Sequence, residues 1–125
     1  MSYQSKLVMC NMLNILNSLD TNKMNSLRMN YMDATSKSGE LSQDYSDAKK
    51  VINSKYEYDD PEREVALDEI KDEFEFLKAE NAVYQEEVEL QIDQLNTNIK
   101  TRETYRENLQ SQIGEEVQKD HDYGY

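Results

Sequence analysis

The sequence predicts an all-α protein, a long antiparallel two-helix hairpin of coiled-coil character that turns at Asp59–Pro61 and associates through its helix faces. Three observations carry that expectation. Only three Gly and one Pro occur in 125 residues, too few turn formers for an all-β or α/β fold. Apolar residues recur three and four apart through most of the chain, as in helices that meet along a narrow seam. The single proline stands in the one strong break, Tyr56-Glu57-Tyr58-Asp59-Asp60-Pro61-Glu62.

The first arm is expected over about residues 4–57. Steps of three and four run through Met24, Leu27, Tyr31, Ala34, Ser38, Leu41, Tyr45, Ala48 and Ile52, with Ser38 the one polar position. Upstream, Met9, Met12, Leu13, Leu16 and Leu19 extend the stripe, and Val8, Cys10 and Ile15 widen it. Residues 7–19 therefore carry an apolar arc broader than one partner helix needs. Gly39 interrupts the pattern at a cost of about 1 kcal/mol relative to Ala in a helix interior. Two readings compete there: Ser38 caps a fresh helix from Glu40, or one helix runs through. The apolar phase is the same on both sides, which favours continuity.

At the break, Asp60 is a good N-cap and Pro61 suits the first helical position. Glu62 and Glu64 place negative charge where a helix N-terminus favours it. The second arm is expected over about residues 61–118. Leu67, Ile70, Phe74, Leu77, Asn81, Tyr84, Val88, Ile92, Leu95, Ile99, Arg102, Arg106, Leu109 and Ile113 follow three or four apart, a mean step of about 3.5 that favours gentle left-handed winding. Residues 1–119 thus read as one hairpin domain, and the aperiodic 120–125 as a flexible tail.

Folding the chain at residue 59 places residue i opposite about 118 − i. Leu41 then meets Leu77, Tyr45 meets Phe74, Ile52 meets Leu67, Tyr31 meets Val88, and Leu27 meets Ile92. These ten residues are the expected intramolecular seam. Arg102 and Arg106 fall opposite Leu16 and Met12 in this register, leaving residues 7–19 poorly matched. Val65, Phe76, Val83 and Leu90 share a second direction on the second arm, about 140° from its seam at 100° per residue. A hairpin uses one stripe internally, and surplus contiguous apolar surface marks interfaces. The expected assembly interface is therefore Met9, Met12, Leu13 and Leu16 with Val65, Phe76, Val83 and Leu90.

Charge divides unevenly. Residues 1–58 hold 7 Lys/Arg and 6 Asp/Glu; residues 59–125 hold 7 and 20, for a total of −12. Such a surface repels nucleic-acid phosphates and anionic membranes and draws basic partners. Cys10 is the only cysteine, among apolar neighbours, and reads as a small buried hydrophobe. Asn11, Asn14 and Asn17 break up the N-terminal apolar run, and no small-x-small site follows it. A soluble protein without a cleavable signal peptide is expected, cytoplasmic or exported by another route.

No catalytic, cofactor or metal site is expected. The one His and one Cys lie at opposite ends of the sequence, and Asp120-His121-Asp122 lacks the spacing that makes metal ligands converge. Neighbouring carboxylates such as Glu86, Glu87 and Glu89 have no cleft to split their pKa values. The sequence therefore points to a non-enzymatic structural protein that self-assembles into an oligomer or filament. The alternatives are an acidic helical adaptor or chaperone for a basic or amphipathic partner helix, and an acidic segment disordered until bound.

Overall fold

The computed structural model describes the backbone of residues 2–123 and the side chains of residues 2–119. It consists of two long helices packed against each other, α1 (Tyr3–Lys55) and α2 (Pro61–Tyr123), with no strand among the described residues. The Ser2 Oγ caps α1 by accepting from the Ser5 N–H at 3.1 Å. Helix α1 passes through Gly39 without interruption. An added Cβ there meets nothing within 4 Å, so Gly39 marks no close approach of another element.

The turn follows the capping chemistry of its residues. The Asp60 carboxylate accepts from the Glu62 N–H at 2.9 Å, and Pro61 opens α2. Arg63 ties the turn to the end of α1. Its Nε donates to Asn53 Oδ1 at 3.0 Å, and its guanidinium lies 5.2 Å from the Tyr58 ring centre. Helix α2 outruns the expected boundary near 118, because backbone hydrogen bonds propagate a helix whether or not a seam continues. The flexible tail expected over 120–125 is instead helical backbone as far as Tyr123, while the side chains of 120–123, including His121, and all of 124–125 lie outside the described residues.

The helices contribute to two compact units, Met1–Leu27 with Gln91–Tyr125, and Arg28–Leu90. In the first, Cys10, Leu13 and Leu109 form a buried cluster with Met9 and Ile113 packed against it. Met24 and Ile99 are buried as well. Charged side chains complete this seam: Lys6 pairs with Glu116, and Arg102 with Asp20. Lys6 and Asp20 are themselves buried. Arg106 donates through Nη1 to Asn14 Oδ1.

These contacts correct the expected register. Arg102 meets Asp20 rather than Leu16, one helical turn away, and Arg106 meets Asn14 rather than Met12. The cause is electrostatic: a guanidinium in a seam needs an oxygen partner, and an unpaired one is costly to desolvate. The same correction moves Leu13 and Met9 out of the expected assembly interface and into the seam.

In the second unit Tyr45 and Phe74 stack with ring centres 4.5 Å apart and planes 5° from parallel. Lys49 Nζ stands 4.3 Å from the Tyr45 ring centre and Lys78 Nζ 5.9 Å from that of Phe74. Val88 and Ala34 are buried. Tyr31, Leu41, Ile52, Leu67 and Leu77 are half-buried, as Leu27 and Ile92 are in the first unit. All ten expected seam residues are thus buried or half-buried. Tyr84 is not a seam residue: it is exposed, and Gln85 takes the inward place, with its Nε2 donating to Ser38 Oγ at 3.3 Å.

Candidate functional site

The candidate sites are two exposed helix faces, one in each unit. The first lies on α1. With Cys10, Leu13 and Asp20 turned inward, Val8, Met12, Ile15 and Leu19 stand at steps of four, three and four on the opposite side, each more than half exposed. At 100° per residue they point roughly 150° away from the buried positions. Leu16 lies at the edge of this face and is also exposed. Residues 7–19 carry no charge at all. Leu19 continues into a groove of ≈ 710 Å³ that Leu27 and Leu95 line with Lys23, Gln91 and Gln94.

The second face lies on α2. Phe76, Val83 and Leu90 repeat at intervals of one heptad, each more than half exposed, and Ala79 stands between them. Val65 is exposed further toward the turn. Phe76, Ala79, Val83 and Tyr84 line a shallow hollow of ≈ 380 Å³ whose rim bears Glu80 and Glu87. Asp72 and Glu86 stand on the same helix face at heptad spacing. The two faces therefore differ in kind: the α1 face is neutral, and the α2 face is framed by carboxylates.

Of the eight expected interface residues, Met12, Leu16, Val65, Phe76, Val83 and Leu90 are exposed, while Leu13 is buried and Met9 half-buried. Sequence reasoning placed Val8, Ile15 and Leu19 on the widened stripe without separating them as an outer face. The separating signal was present in the charges. Lys6 and Asp20 mark the inward side of α1, because each has an opposite charge waiting on α2.

Ser38 and Asn81, polar positions read on the two stripes, form a hydrogen-bonded layer in the second unit. Asn81 is buried and donates from Nδ2 to the Ala34 carbonyl at 2.8 Å and to Ser38 Oγ at 2.7 Å. A buried amide bonded across a helix pair penalises other registers, which would leave it unpaired. Nearby, a hydrogen bond to the Glu89 carboxylate and the charge of that carboxylate raise the Tyr31 pKa above 10.0.

Comparison with protein families, curated proteins and solved structures gives no match to this chain. Its functional reading rests on its own surfaces. No helix among the described residues is long and apolar enough to cross a membrane. Among the same residues, no group of three His, Cys, Asp or Glu side chains is placed to hold a metal ion.

Proposed function

We propose that the protein is a non-enzymatic structural subunit that associates with copies of itself through the outer face of α1. The observation that carries this reading is the row Val8, Met12, Ile15 and Leu19, exposed along a run of helix without charge. In a chain of net charge −12, like copies repel. A neutral apolar face lets two of them approach without setting carboxylate against carboxylate. Antiparallel pairing of this face on itself is isologous, the commonest form of closed association. It joins two helix pairs into a four-helix arrangement, which buries what one pair leaves open.

The test is mass against concentration. Light scattering at tens of micromolar should give a multiple of the chain mass, falling on dilution. Met12→Lys with Ile15→Lys places like charges on both sides of a symmetric contact and removes two half-exposed apolar side chains from each copy. Loss of about 3 kcal/mol of burial raises the dissociation constant by about a hundredfold, while helicity by circular dichroism stays unchanged. A helical wild-type monomer at tens of micromolar sinks the proposal.

A further inference from the structure

We infer that the α2 face over Asp72–Leu90 is a docking site for a basic amphipathic helix of a different protein, an activity separate from self-association on α1. Successive outward positions at steps of four and three read Asp72, Phe76, Ala79, Val83, Glu86 and Leu90, all exposed. The row is an apolar seam with a carboxylate at two of its own positions, two heptads apart. Glu80 and Glu87 add negative charge along one edge.

That pattern decides what can cover the face. A second copy laid antiparallel on the same stripe would carry Asp72 and Glu86 into a contact that offers them only apolar side chains or one another. Burying an unpaired carboxylate costs far more than an apolar contact of this size returns. The occupant must instead bring Lys or Arg two heptads apart, with apolar residues between them. Among the described residues the ion pairs are Lys6–Glu116, Arg63–Glu64 and Arg102–Asp20, and none engages these four acids. Within this chain two pairs have the required separation: Lys23 and Lys37, where Asn30 and Asp33 occupy the face between them, and Lys49 and Arg63, which lie on different helices. The complementary helix therefore belongs to another protein, and it docks as amphipathic helices do, apolar residues inward and charges at the rim.

The probe is a labelled synthetic helix with leucines at heptad positions and lysines two heptads apart. A control peptide has each lysine replaced by glutamate. Fluorescence anisotropy with the full chain should show one lysine peptide bound per chain and no binding of the control. Asp72→Asn with Glu86→Gln should weaken binding at least about tenfold. Phe76→Ser with Val83→Ser should do so to a similar degree without altering charge. Circular dichroism checks that both variants remain helical, and Met12→Lys with Ile15→Lys should bind the peptide as wild type does. Undiminished binding by Phe76→Ser with Val83→Ser would overturn the inference, since the peptide would then be held by diffuse negative charge. Equal binding of the glutamate peptide would overturn it as well.

Discussion

Tyr31 and Glu89 show how one contact across the second unit leaves a measurable trace. The phenol donates to a carboxylate, and a neighbouring negative charge disfavours a second one on the same pair. Both effects hold the proton on Tyr31 and raise its pKa above 10.0. A folded-state pKa above the unfolded value contributes stability that is present in full below pH 10.0. The contribution is lost as pH rises through the folded-state value. The hydroxyl stands at the solvent edge, so the stabilisation is small, but the titration is directly observable. Subtracting the near-ultraviolet absorbance of Tyr31→Phe from that of the wild type isolates this tyrosine from the other eight. It should ionise later than a free tyrosine, and Glu89→Gln should bring it back toward 10.0. An unchanged midpoint in Glu89→Gln would show that the carboxylate is not its partner. Asn81 is the buried counterpart at this scale. Its two hydrogen bonds to α1 select a register, and a seam of leucines alone would slide more easily.

At the scale of the helices, local chemistry and pattern agree, which is why the hairpin was legible. Asp60 and Pro61 cap and open α2 as their side chains dictate, and Tyr45 finds Phe74 as the fold-back at residue 59 requires. What periodicity could not supply was the register in the first unit. Apolar side chains tolerate a shift of one turn, since leucine meets leucine either way. Charged ones do not, and Lys6, Asp20, Arg102 and Arg106 fix the alignment there. The division of residues 7–19 into an inner and an outer side depends on that alignment, so periodicity alone assigns Leu13 to the interface and reads Ile15 only as widening the stripe, whereas Leu13 is buried and Ile15 exposed. Gly39 offers the cleanest test of continuity in α1. It is exposed, helical and free of neighbours at the Cβ position. Replacing it by Ala restrains the unfolded chain and asks nothing of the folded one. Gly39→Ala should therefore stabilise the protein by about 1 kcal/mol and raise the unfolding midpoint by a few degrees. A lower midpoint would mean that the chain bends or opens at this glycine.

For the molecule as a whole, the uneven charge should give the two proposed contacts opposite responses to salt. Each copy carries a net −12, so association between copies works against long-range repulsion. Salt screens that repulsion over a Debye length that falls from about 30 Å at 0.01 M to about 10 Å at 0.1 M. Contact through the neutral α1 face has no ion pairs to lose, and raising salt should strengthen it. Docking of a basic helix over Asp72 and Glu86 draws on attraction between opposite charges, and raising salt should weaken it. Sedimentation and peptide anisotropy measured on the same protein across this range should therefore move in opposite directions. Self-association that weakens with salt would show that charge pairs hold the copies together and would remove the α1 face from that role. Peptide binding indifferent to salt would show that the carboxylates framing Phe76 and Val83 take no part in docking.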